Sequence, residues 1–182
     1  MWFARNAVLG AITAPYALIT LGLTPFQFGC AAALMGLGGL LGATTSSAGG
    51  RLLRTGGAII VADAAAALTA VVLLVAGLGP GGWTAAAVLG LGQFCFGFGI
   101  GFGNSHEMAF RQALTPDRLQ ARTNTTMRSL NRAVVVVVAP LGGLLADQAG
   151  IRVALVTAGS IFVLAVLLLV VTGFARASAE ES

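Results

Sequence analysis

The sequence predicts an all-α membrane protein of six transmembrane helices, and three observations lead there. Of the 182 residues, 57% are hydrophobic and only 9% are charged, whereas a soluble domain carries about 25% charged residues. A soluble chain must cover its core with polar surface, and too few polar residues are present to do so. The apolar residues also fall into separate runs, near positions 7–23, 26–46, 57–78, 83–103, 128–148 and 153–174. Finally, the ten basic residues are all arginine and they segregate. Six spans place Arg5, Arg51, Arg54, Arg111, Arg118, Arg122, Arg128, Arg132 and Arg176 on one side and only Arg152 on the other. An excess of Arg in the loops of one side marks that side as cytoplasmic, which puts both termini there. A missed or extra span would scatter the arginines over both sides.

In chain order, the first run follows Arg5 and holds Pro15 near its middle, where a kink is expected. No small-x-small cleavage site followed by a soluble domain marks this run as a signal peptide, so it is taken as a first transmembrane helix. Thr24-Pro25 forms a short turn into the second run. There Gly36, Gly38, Gly39 and Gly42 leave one side nearly bare, a pattern suited to close helix packing. The stretch GGRLLRTGG at 49–57 reads as a short basic loop. The third run carries one acid, Asp63, and the uncharged turn GPGG at 79–82 follows it. The fourth run opens on Trp83, an interfacial anchor. Its pairs Gly97/Gly101 and Gly99/Gly103 set two small faces down one helix.

Residues 104–127 read as a cytoplasmic loop. Within it Thr115-Pro116-Asp117 signals a helix start, with Thr as cap, Pro at the first helical position and an acid in the first turn. That predicts a short helix at the membrane surface. The strictly apolar part of the fifth run covers only 133–146, and about 20 residues are needed to cross. The span therefore begins near Arg128 and carries Asn131 and Arg132 at the bilayer edge. The sixth run is the most uniformly apolar and is expected to face lipid. The polar tail 175–182 is expected to be disordered.

Two segments carry a family resemblance. RQALTPDRLQARTNTTMRSL, continued by APLGGLLAD, resembles the loop and following helix in the second half of bacterial major facilitator superfamily exporters, in the branch of siderophore and drug efflux proteins. The matching residues are Arg111, Pro116, Asp117, Arg122, Asn124, Arg128, Pro140, Gly142 and Gly143. Upstream, LGLTPFQFG, LGGLLGA and GGRLLRTGG resemble the eighth helix of that fold and the basic loop after it. The resemblance covers nearly the whole chain and implies half of a twelve-helix fold, the C-terminal six helices. The first half is absent, with its acidic-and-basic loop motif, and the loop at 49–57 lacks the Asp. What the resemblance implies is secondary-active efflux of a small molecule by alternating access in the bacterial inner (plasma) membrane. The transport path of that fold lies between two halves, so a partner is implied: a missing N-terminal half or a copy of this chain. Otherwise the chain is a truncated or non-transporting membrane protein, an assembly partner or remnant.

Each candidate residue has two readings. Asn6, Tyr16, Gln93, Asn131 and Arg132 are candidates to line a transport cavity. Against this, Gln93 suits an interhelical hydrogen bond, and Arg132 suits a side chain snorkelling to the interface. Arg51, Arg54, Asp117, Arg122 and Arg128 form a cytoplasmic charge set, either a gate or topology determinants alone. Asp63 is a possible coupling acid, because intramembrane acids are costly. Pairing with Arg51 or Arg54 is favoured, since the third helix of each half is peripheral in the resembled fold. Glu107, beside His106, is a second possible coupling acid, with a solvated loop pair favoured. Gly36, Gly97, Gly101, Pro140, Gly142 and Gly143 are assigned to helix packing, and alternating access would turn the Gly-rich second and fourth helices, with the fifth, toward a partner half.

An enzyme is not expected. An intramembrane serine protease needs Ser and His on facing helices, whereas Ser105 and His106 are neighbours in GNSHE. No carboxylate pair or His cluster suggests a metal, no cofactor is implied, and Cys30 and Cys95 fall within apolar runs as small core residues. The arginines lie between apolar runs, so topology explains them better than nucleic acid does. Asn124-Thr125-Thr126 matches a glycosylation acceptor but faces the cytoplasm on this topology.

Overall fold

The computed structural model describes residue 10 and residues 12–171. The side chains at positions 51, 54, 55, 110, 111, 114, 162, 165 and 169 are not among those described. Asn6 and the tail 175–182 lie outside the described residues, as do the side chains of Arg51, Arg54 and Arg111. Every regular element among the described residues is helical. They are α1 (residues 12–20), α2 (Pro25–Ala76), α3 (Trp83–Leu114), α4 (Asp117–Ala149) and α5 (Ile151–Val171). Among the described residues, five segments are long and apolar enough to cross a membrane: Pro25–Gly50, Gly56–Ala76, Trp83–Ala109, Asp117–Ala149 and Ile151–Leu168. Their outward faces are apolar, with Val136 72% and Leu40 61% exposed. An all-α membrane protein is the class that fits, because water would not tolerate such a surface and lipid does.

The interruption expected at Pro15 is a widening of the helix. Helical geometry continues through Pro15 into a π-helical turn, Tyr16–Thr20, closed by Leu21 N–H donating to the Tyr16 carbonyl at 3.0 Å. Gly22, at φ 63°, then reverses the chain. Thr24 begins α2 with a reciprocal cap: Gln27 N–H donates to Thr24 Oγ1 at 3.2 Å, and Thr24 N–H donates to Gln27 Oε1 at 2.9 Å. Pro25 occupies the first turn, where its missing N–H costs nothing. The pattern Thr-x-x-Gln is a capping-box signature that the reading as a plain turn passed over.

The expected loop at 49–57 is helical, and α2 runs unbroken in hydrogen bonding for 52 residues. It is nevertheless not one straight rod. Ala31 packs beside Gly90 and Val72 beside Gly92, two residues further on in α3. A straight helix would hold Ala31 and Val72 about 60 Å apart at 1.5 Å per residue. The chain therefore folds back around residues 49–57, and α2 consists of two arms, Pro25–Gly50 and Gly56–Ala76. Two arms with one turn between them is the arrangement expected of the second and third runs. The hydrogen-bond pattern stays helical across the turn, and the glycine pairs at 49–50 and 56–57 give the backbone the freedom to bend there.

Helix α3 lies against both arms, parallel to the first and antiparallel to the second. Added Cβ atoms at Gly97 and Gly101 would collide with the carbonyl oxygens of Met35 and Gly39, and ones at Gly38 and Gly42 with those of Phe94 and Phe98. Glycines on both helices thus bring the backbones into direct contact. On its other face, Gly99 and Gly103 meet Ala62, and Gly92 meets Thr69 and Val72. Thr69 Oγ1 donates across this second seam to the Gly92 carbonyl at 3.1 Å. Phe26 and Trp83 meet edge to face, centroids 6.2 Å apart, at the end where α2 and α3 both begin.

Helix α5 packs on the second arm of α2 and on α4. It does not face lipid all round: Ala154, Leu155 and Ala158 are buried, and a Cβ at Gly159 would press on Ala70. Helix α4 is the least enclosed. It packs chiefly on α5, with Gly142 its buried residue. Pro140 lies within the helix without ending it.

Candidate functional site

The polar stretch after Gly103 is not a loop. Helix α3 continues to Leu114, the break is confined to Thr115 and Pro116, and α4 runs from Asp117 without interruption to Ala149. The separate surface helix is simply the first turns of α4. The polar residues here tolerate a helix, and neither Pro nor Gly intervenes between Asp117 and Pro140. Pro116, not Thr115, is the N-cap, and it makes no side-chain cap bond. Gln120 Nε2 instead ties the turn together, donating to Asp117 Oδ1 at 2.9 Å and to the Thr115 carbonyl at 3.3 Å. With 32 and 33 residues, α3 and α4 each reach about 50 Å, against a hydrocarbon core of about 30 Å. Their joined ends therefore project beyond the core on the arginine-rich side.

Where they project, the two helices stand apart and leave a cleft of about 280 Å³. Asn104 and Met108 line it from α3, and Asn124, Arg128, Asn131, Arg132 and Val135 from α4. Positions 104 and 108 are one helical turn apart. Positions 124, 128, 131, 132 and 135 are spaced to share one face of α4. Three carboxamides and two guanidinium groups thus converge with two apolar side chains. Among the described residues, neither Arg128 nor Arg132 has an ion-pair partner, and neither does the half-buried Glu107 of α3, which is outside the lining set.

Of the residues expected to line a cavity, the structure brings together Asn131 and Arg132, and it adds Arg128 from the charge set. Asn104, Met108 and Asn124 were missed. Asn124 had been read only as a discounted glycosylation acceptor and a resemblance match. Its spacing to Arg128 and Asn131 was the available signal, once the helix is extended back to Asp117. Tyr16 is fully buried, and its hydroxyl donates to the Leu73 carbonyl at 2.9 Å, so it is a bolt between α1 and α2. Gln93 is buried in α3 and lies outside the cleft. Asp117 is held by Gln120 and stands about 16 Å along α4 from Arg128. Arg122 is exposed and lines a shallower hollow with Leu119, Thr123, Thr126 and Met127.

Asp63 is buried at 2% exposure and partnered. His106 is not in a solvated loop beside Glu107. It is buried, with 9% exposed, tilted against Phe102 with centroids 5.1 Å apart, and lies over Gly50. Among the described residues its Nε2 has no hydrogen-bond partner. Gly97 and Gly101 face the first arm of α2, so these glycines are occupied within the chain, not turned to a partner half. Gly36 and Gly143 have open space beside them. Cys30 is exposed, not a core residue, and Cys95 is half-buried. No family model, curated protein or solved structure matches the chain.

Proposed function

We propose that the chain is part of a secondary-active transporter of the major facilitator type, exporting a small molecule by alternating access across a bacterial inner membrane with both termini cytoplasmic. The observation that carries this is the cleft between α3 and α4. Ligand sites are concavities in which a few polar groups converge beside apolar ones, and a site at the end of membrane-length helices opens onto the path a solute would take between them. Here five amide and guanidinium groups converge around an open volume at the arginine-rich end. The residues that carry the family resemblance, Asn124 and Arg128 among them, supply part of its lining.

The partner is a second six-helix half or a second copy. Helix α4 supports this, since it packs chiefly on α5 while Val136, Val137, Leu141 and Leu144 stay exposed. Because the glycine seam between α2 and α3 is consumed inside the chain, rocking against a partner would use α4 instead. The test places single cysteines at Val137 and Leu141 in a chain lacking Cys30 and Cys95, and crosslinks them in the inner membrane. Specific dimers, together with proton-driven efflux from vesicles, support the proposal. A monomer with no efflux would favour the alternative, a non-transporting assembly partner or remnant.

A further inference from the structure

We propose that the α3–α4 cleft binds a small organic anion, a carboxylate or phosphate carried on an apolar body, which deepens and rests on the transport proposal above. The lining holds two positive charges and no acid. Arg128 and Arg132 are four residues apart on one helix face, so their guanidinium groups are neighbours on successive turns. Like charges at this spacing destabilise a helix, and among the described residues no carboxylate relieves them. An anion seated between them removes the repulsion and accepts charge-assisted hydrogen bonds from both. Asn104, Asn124 and Asn131 supply amide donors for the remaining oxygens, while Met108 and Val135 offer contact to an apolar group. A cation would meet two unneutralised guanidinium groups. A neutral ligand would leave them unpaired as it displaced their water. At about 280 Å³ the cleft sits at the small end of ligand sites, which run from about 300 to 1,000 Å³.

The occupant's acidic group has two possible sources, a free metabolite-sized anion or the phosphate of an acidic lipid headgroup, and one experiment separates them. The full chain is placed in phosphatidylcholine nanodiscs, and binding of radiolabelled benzoate is measured by scintillation proximity. Unlabelled benzoate, benzamide and benzylamine compete in turn, three ligands of one shape with charges of −1, 0 and +1. Benzoate should compete at least about tenfold better than the other two, since a hydrogen bond to a charged group accounts for roughly a 10- to 100-fold change in affinity. Arg128→Gln and Arg132→Gln should each weaken benzoate by about tenfold or more. Arg122→Gln removes the same charge from outside the cleft and should leave binding unchanged. Val135→Trp, which fills the cleft without altering charge, should abolish it. Repeating the assay in phosphatidylglycerol nanodiscs identifies the source: lost benzoate binding assigns the site to the lipid headgroup, and retained binding assigns it to a free anion.

Equal competition by all three ligands, or undiminished benzoate binding in both cleft arginine variants, would overturn the proposal. Binding by the isolated chain requires neither a partner half nor transport. A chain that binds benzoate selectively but stays a monomer and exports nothing in the inner membrane would sink the transport proposal and leave this one standing.

Discussion

Replacing Gly97 by Ala should destabilise the chain, and replacing Gly36 by Ala should not. Both glycines lie within helices, where Ala is favoured by about 1 kcal/mol through backbone entropy. At Gly36 nothing lies within 4 Å of the new methyl group, so Gly36→Ala should be neutral or stabilise by up to about 1 kcal/mol. At Gly97 the methyl group would overlap the Met35 carbonyl oxygen, with Gly39 N close behind at 3.0 Å. These are backbone atoms of a helix and cannot rotate away. The seam must open by about an ångström to restore ordinary contact, which also loosens the neighbouring contacts of Gly38, Gly42 and Gly101. Overpacking of this kind costs about 1–3 kcal/mol beyond any propensity gain. Gly97→Ala is therefore expected to fall below Gly36→Ala by roughly 1–3 kcal/mol. The measurement is reversible unfolding in mixed micelles, followed by helical circular dichroism, for both variants and the parent. Equal stability of the two would refute the α2–α3 backbone seam, and a larger loss at Gly36 would mean that the opposite face of α2 is the packed one.

Further outcomes are expected from the same unfolding assay. Thr69→Val removes the bond to the Gly92 carbonyl and should cost about 0.6 kcal/mol, at most about 1.7; Tyr16→Phe, which removes the bond to Leu73, should cost a similar amount. Thr24→Ala removes the hydroxyl that accepts from Gln27 N–H, leaves the backbone N–H half of the cap in place, and should cost about 0.5–2 kcal/mol, whereas Thr24→Ser should retain most of the stability. Gly150, at φ 91° and ψ 149°, occupies backbone space essentially reserved for glycine, so Gly150→Ala should lose about 1–3 kcal/mol. Gly79→Ala, at an open position without positive φ, is the matched control and should change little.

Hydropathy and spacing in the sequence were enough for the all-α membrane class and for most of the membrane-length segments, because crossing lipid is a property of each segment by itself. The two small faces of α3 were legible too, since Gly97/Gly101 and Gly99/Gly103 repeat at the helical period. Which helix each face meets was not, because a bare stripe fits any other bare stripe, and only the packed chain shows Gly97 on Met35 and Gly99 on Ala62. The same holds for polar residues. Asn104, His106, Asn124 and Arg128 satisfy a loop or a helix equally well in isolation, so the sequence suggested a loop where two long helices meet at a two-residue turn. Tertiary structure then sorted them by direction. His106 turns inward onto Phe102 and Gly50, Tyr16 bolts α1 to α2, and Asn124, Arg128, Asn131 and Arg132 face Asn104 across a cleft. Charge and periodicity are carried along the chain, whereas a cavity exists only between elements, and its lining is decided by how far α3 and α4 stand apart.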